Sequence, residues 1–179
     1  MIAYAISDPS TLNFQTLQQD IKRFSKKADM ILYRDKDTKN YADNAKRFIQ
    51  ESQKESFSKV LLHRDYKLAS KFNANRVHLT STQFEAIDKA KALGLFVVIS
   101  THTKQEALKA QRLGADMITY SPIFATPNKG VPKGVEKLRE LISLVDIPVI
   151  ALGGIVTQEQ IDLCKKSGAV GFASIRYFA

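Results

Sequence analysis

The chain is short of cysteine, of long apolar runs, of low-complexity sequence and of negative charge. A single Cys164 in 179 residues excludes an internal disulfide and offers no thiolate pair to a metal. It follows Ile161 by three residues on an expected helix, where a small apolar side chain packs well. No stretch of 18 apolar residues occurs, so no membrane helix is expected. Met1-Ile2-Ala3-Tyr4 enters a strand pattern directly, with no basic leader or cleavage pattern. The expected address is cytoplasmic, with no membrane partner. No linker divides the sequence, and 44% apolar content supports one sizeable core, so a single domain over residues 1–179 is expected.

Acidic residues number 18 against 27 basic ones, a formal charge of +9. The lysines are scattered through helical patterns such as 21–27 and 84–93, and aromatics do not interleave with them. That distribution suits solvated helix faces and small anions, and no nucleic-acid partner is expected.

What the chain does have is regular alternation. Apolar runs rich in Ile, Val and Leu predict strands at 2–7, 30–34, 59–63, 76–80, 96–101, 117–121, 148–152 and 170–175. Helical periodicity fills the gaps at 16–27, 41–53, 66–72, 84–93, 104–113, 135–145 and 158–167. Three of these helices stop at Gly94, Gly114 and Gly168, each followed almost at once by a strand. Eight strands joined by helical crossovers require a parallel sheet and predict an α/β fold, a short TIM (β/α)8-type barrel. Only Arg176-Tyr177-Phe178-Ala179 follow the last strand, so the closing eighth helix is absent or replaced. An apolar strip beside the first and seventh helices should then be covered by a second copy, in a homodimer, or by the C-terminal aromatics.

The strands run into polar residues: Asp8, Arg34-Asp35-Lys36, His63-Arg64-Asp65, and Ser100-Thr101-His102. Ligands bind at the carboxyl ends of parallel strands, so a small-molecule site is expected there. Gly153-Gly154 after the seventh strand and Ile175-Arg176 after the eighth stand where this fold cradles phosphate. The alternative is that the glycines simply make a tight strand-to-helix turn and Arg176 is a solvated tail residue; given the barrel, phosphate binding is the expectation. Arg34 and Lys36, spaced by two on an extended terminus, can address one anion together. The segment 121–134 carries three prolines and two glycines, and its Thr126, Asn128 and Lys129 suit an anion clamp. His78 lies inside a strand, as a packed interior histidine would. No carboxylate lies near Ser100-Thr101-His102 in sequence to suggest a hydrolase triad.

With these residues in view, the chain resembles the thiamin phosphate synthase and TenI superfamily of short TIM barrels. The resemblance rests on Ile6-Ser-Asp8, Leu32-Tyr-Arg-Asp-Lys36, Arg76-Val-His-Leu79, Ile99-Ser-Thr-His-Thr103, Gly114-Ala-Asp116, Ser121–Lys129, Ile147–Ile155 and Gly168-Ala169, in order along the chain. It implies that Arg34 and Lys36 hold the diphosphate of hydroxymethylpyrimidine diphosphate. It implies that Thr126 and Lys129 contact the same substrates, and that Gly153, Gly154, Ile175 and Arg176 hold thiazole phosphate. Lys36, Ser100, His102 and Lys129 are then the candidate catalytic residues, and His63, Arg64 and Asn128 join the substrate-binding set. The resemblance also implies Mg²⁺, held by aspartates in an Asn-Asp pair after the third strand and a Gly-Gln-x-Asp run after the fourth. This chain has His63-Arg64 and Thr80-Ser-Thr-Gln83 there, which leaves Asp65, shifted by one position, as the candidate ligand. The tautomerase branch of the superfamily places its general-base histidine after the sixth strand, where this chain has Pro122. The expected function is a synthase-like transferase acting on phosphorylated small molecules. The alternatives are a thiazole tautomerase or a non-catalytic binder of thiazole phosphate or thiamin phosphate.

Overall fold

In the computed structural model, which describes residues 1–127 and 129–179, eight strands close into one barrel. They are β1 (Ile2–Ile6), β2 (Met30–Tyr33), β3 (Lys59–His63), β4 (Arg76–Leu79), β5 (Phe96–Thr101), β6 (Met117–Tyr120), β7 (Val149–Leu152) and β8 (Gly171–Ser174). Every neighbouring pair is parallel, and β8 pairs with β1 through registers such as Tyr4 opposite Ala173. The helices are α1 (Leu17–Ser25), α2 (Tyr41–Ser52), α3 (Tyr66–Lys71), α4 (Ile87–Ala92), α5 (Lys104–Arg112), α6 (Gly134–Ile142) and α7 (Gln158–Lys166). The stretch read as one helix over 84–93 divides into a 3₁₀ turn, Phe84–Ala86, and α4. No helix of the described residues is long and apolar enough to cross a membrane.

Side-chain alternation along the strands builds two cores. Tyr4, Ile6, Met30, Leu32, Leu61, Val98, Met117, Ile150 and Ala173 fill the barrel interior. Residues of the opposite parity, among them Ala5, Ile31, Leu62, Val77 and Ile99, join Ile21, Phe24 and Phe48 of the helices in the outer core. A fully buried Leu of either layer contributes about 1.5–3 kcal/mol of apolar burial. The interior parity also positions the site. Leu32 leads to Arg34, Leu61 to His63 and Val98 to Ser100, so each polar group caps an apolar side chain two residues before it.

The missing eighth helix is replaced from within the chain. A 3₁₀ turn, Arg176–Phe178, folds back over β8, and Phe178 is only 2% exposed. Its ring stacks on Phe172 at 5.8 Å, and Tyr177 meets both rings edge-on at 5.2 and 5.1 Å. Arg23 of α1 clamps the turn by donating to the Phe178 carbonyl, and to that of Thr11 at 2.6 Å. The C-terminal aromatics, one of the two expected covers, lie over this edge. Leu163 of α7 and the nearby Val170 remain 37% and 39% exposed.

Candidate functional site at the barrel mouth

On one side of the mouth, the turns after β2, β3 and β4 enclose a cleft of about 510 Å³, lined by Asp35, Lys36, Thr38, Tyr41, His63, Arg64, Asp65, Tyr66, Lys67 and Gln83. The Lys36 ammonium is held below its usual pKa, first by the Arg34 guanidinium, then by partial desolvation, Lys129 and Arg64. Repulsion of that kind places Arg34, Arg64 and Lys129 near Lys36. None of them forms an ion pair among the described residues. His63 is buried at the end of β3, and its pKa falls to about 3, mainly through desolvation, with His78 and the nearby cations adding to the effect. Tyr41 fixes this strand end by donating to the His63 carbonyl at 3.0 Å and accepting from the His63 N–H at 3.1 Å.

Arg64 adopts φ +70°, the left-handed region that costs a non-glycine residue about 1–2 kcal/mol. Its N–H donates to the His78 carbonyl at 2.9 Å, the following Asp65 N–H returns to the His63 carbonyl at 2.8 Å, and Gln83 donates to the Arg64 carbonyl at 3.2 Å. Asp65 is the N-cap of α3, with Oδ1 accepting the Leu68 N–H at 2.9 Å. Asp35 spends its own Oδ1 on the N–H groups of Asp37 and Thr38, both at 3.1 Å. Each carboxylate of the cleft is thus engaged in local backbone bonding and flanked by cations. No group of three His, Cys, Asp or Glu side chains among the described residues converges as a metal's ligands would. Asp35 and Asp65 each keep only Oδ2 beyond these bonds, and the cations beside them oppose a second positive charge, so this donor set fits Mg²⁺ poorly.

Beneath the mouth lies a polar relay that no sequence motif announces. The Tyr4 hydroxyl is 2.8 Å from His78 Nδ1, and His78 Nε2 is 3.0 Å from Ser100 Oγ. Burial raises the Tyr4 pKa well above its ordinary value and lowers that of His78 to about 3, so both groups are neutral. A neutral imidazole donates from one nitrogen and accepts at the other, so Tyr4, His78 and Ser100 form one directional hydrogen-bond chain that holds the Ser100 hydroxyl at the mouth. His78 is thus an interior histidine, as its place within a strand suggests, but one with an orienting task. Tyr4 is the member that sequence reasoning missed; its interior parity on β1 was the available signal.

The opposite side is built from backbone. After β6, Lys133 N–H donates to the Pro122 carbonyl at 2.8 Å and Gly134 N–H to Ile123 at 3.0 Å, closing segment 121–134 into a loop. Within it, Thr126 donates to the Phe124 carbonyl at 3.0 Å, and Lys129 N–H to the Thr126 carbonyl at 3.2 Å. Lys129 is exposed, while Asn128 lies outside the described residues. His102 Nδ1 lies 3.1 Å from the Ser121 carbonyl and 3.2 Å from its Oγ.

Gly153 and Gly154 have φ +101° and +70°. A Cβ on Gly153 would lie 2.8 Å from Pro122 Cα, and one on Gly154 only 2.5 Å from the Ala125 carbonyl oxygen. The paired glycines let the β6 loop pass directly over the β7 turn, where Phe124 N–H donates to the Gly153 carbonyl at 2.9 Å. Ser174 Oγ then joins the β7 and β8 turns, donating to the Ile155 carbonyl at 2.7 Å and accepting the Tyr177 N–H at 3.2 Å. Ile175 is half-buried and Arg176 exposed beside this junction. The first turn of α7 is satisfied internally by the Thr157–Gln160 capping box.

Polar groups at the carboxyl ends of eight parallel strands, with cations on one side and closely packed turns on the other, define a TIM-type barrel with a small-molecule site at its mouth. A family model described as thiamine monophosphate synthase matches residues 3–178, and the chain belongs to that family. It is 34% identical over 179 residues to "Putative thiamine-phosphate synthase 2" of Aquifex aeolicus, covering 98% of this chain and 96% of the other. It is 27% identical over 184 residues to a thiamine-phosphate synthase of Syntrophomonas wolfei, covering 96% and 85%. The solved thiamine phosphate pyrophosphorylase of Pyrococcus furiosus shares the fold, with a TM-score of 0.79 at 24% identity over 97% of this chain and 85% of that one.

Proposed function

We propose that this protein joins hydroxymethylpyrimidine diphosphate to thiazole phosphate, releasing diphosphate and forming thiamin phosphate. The observation that carries this reading is the group of unpaired cations, Arg34, Lys36, Arg64 and Lys129, around a cleft at the mouth of a barrel of this family. In the reaction the bond between the pyrimidine methylene carbon and the diphosphate oxygen breaks, and its electron pair leaves with diphosphate. The thiazole nitrogen then donates its lone pair to the methylene cation, closing the new C–N bond with no net proton transfer. The protein's task is to stabilise the leaving anion and to hold two partners in line.

Lys36, Arg34, Arg64 and Lys129 neutralise charge developing on diphosphate. Ser100, hydrogen-bonded to His78, presents its hydroxyl to the pyrimidine, and Thr126 contacts the same substrate, with Asn128 the remaining candidate of that segment. Gly153, Gly154, Ile175 and Arg176 receive thiazole phosphate, and the Gly154 N–H has no acceptor among the described residues. Incubation with both substrates should give thiamin phosphate and diphosphate in equal amounts. Complete inactivity with either substrate order, with and without Mg²⁺, would remove the proposal.

One contact favours a second reading, thiazole tautomerisation. His102 adjoins Ser121 at the end of β6, next to Pro122, whereas both ring nitrogens of the buried His78 are engaged by Tyr4 and Ser100. On that reading His102 carries the proton, and a histidine limb in the pH–rate profile disappears in His102→Ala. A homodimer remains a proposal, and with Phe178 sealing the β8 edge its support is reduced to the part-exposed Leu163 and Val170; sedimentation velocity decides it.

A further inference from the structure

The geometry points to Arg64 as the charge that a divalent metal would otherwise supply, so that this cleft takes a diphosphate-class anion without Mg²⁺. The inference rests on the proposed function for the identity of the anion, but its own observations concern the cleft. Lys36, Arg64 and Lys67 line the cleft with Asp35 and Asp65, Arg34 and Lys129 act on Lys36 from beside it against Asp37, and none of these five cations is neutralised by an ion pair among the described residues. A divalent ion arriving alone would enter a region already positive. Asp35 and Asp65, the carboxylates within reach, are each engaged in holding a turn and a helix start.

The backbone at Arg64 supplies the second line of argument. A left-handed arginine persists only where its surroundings hold it, and three hydrogen bonds do so here, involving His78, His63 and Gln83. Gln83 is itself locked, its Oε1 accepting from the Thr80 N–H and the Thr80 hydroxyl at 3.1 Å each. The turn after β4 therefore spends its polar groups on fixing the turn after β3, and what that turn displays to the cleft is the exposed Arg64 side chain. A planar guanidinium offers paired donors matched to phosphate oxygens, and it remains charged at every physiological pH.

Titration calorimetry of the full chain with inorganic diphosphate tests this in EDTA and in Mg²⁺, for wild type and Arg64→Asn. Asparagine tolerates the left-handed backbone, so the variant removes charge while keeping the fold, and its unchanged melting temperature verifies that. Wild-type affinity should differ by less than about threefold between EDTA and Mg²⁺, and Arg64→Asn should weaken binding in EDTA by about tenfold or more. Binding that requires Mg²⁺, or a variant that binds as wild type in EDTA, overturns the inference. So does sulfate binding as tightly as diphosphate, which would reduce the cleft to a diffuse positive surface. Turnover is not measured, so failure of the coupling reaction would leave this result standing, and failure here would leave the coupling reaction to be judged by its own assay.

Discussion

The two sides of the barrel mouth are built by different means. Around β7 and β8, shape is set by backbone: paired glycines under a crossing loop, and one serine that joins two turns. Around β2, β3 and β4, the turns are equally well fixed, but what they present is side-chain charge that the protein itself does not neutralise. A site made of backbone tolerates little change in bulk and is indifferent to salt. A site made of cations tolerates changes in shape and is sensitive to charge and ionic strength.

The largest effect should come from adding bulk to the backbone-built side. Gly154→Ala places a methyl 2.5 Å from a carbonyl oxygen at positive φ, and should cost about 2–4 kcal/mol in urea unfolding with loss of activity. If that variant is as stable as wild type, the close packing of the β6 loop on the β7 turn is not what holds this half. Lys36→Ala on the other side should leave stability within about 0.5 kcal/mol while lowering kcat/KM by about two orders of magnitude. Salt should divide the halves next. Raising ionic strength from about 0.05 to 0.3 M should weaken diphosphate binding severalfold and thiazole phosphate binding much less. Equal salt dependence would erase the distinction.

The relay under the mouth gives a smaller effect. Tyr4→Phe leaves His78 Nδ1 without its hydrogen-bond partner in a buried site, which should cost about 1–3 kcal/mol, and Ser100 loses its fixed orientation. A changed His78 tautomer in ¹⁵N spectra would show the link directly. The pH dependence probes the same histidine. His78 has a folded pKa of about 3, below the unfolded value near 6.5, so the unfolded chain binds the proton first on acidification. Its contribution to stability is complete above about pH 6.5 and is lost progressively as pH falls toward 3, and His78→Gln should flatten that part of the curve.

Strand and helix alternation was legible because each element carries its own period, and the position of the chemistry followed because strand ends are local in sequence. What depended on distant partners was not legible. Tyr4 and His78 are 74 residues apart and meet only across the closed barrel. The glycine pair could be read as a turn, but its reason, a crossing loop from β6, needed the neighbouring strand. Asp65 stands just before Tyr66–Lys71 in the position of a helix cap, a role that its place before a helical pattern signals in the sequence. The replacement of the eighth helix was half legible, since three aromatics and an arginine on α1 were visible but not their mutual packing.

The most direct measurement is single-turnover formation of thiamin phosphate from hydroxymethylpyrimidine diphosphate and thiazole phosphate, with diphosphate quantified alongside. Wild type should release both products in equal amounts, and Lys36→Ala should do so far more slowly at unchanged stability. No product from wild-type protein under any metal condition, or an unimpaired Lys36→Ala, would contradict the assignment of the cationic cleft to the leaving diphosphate.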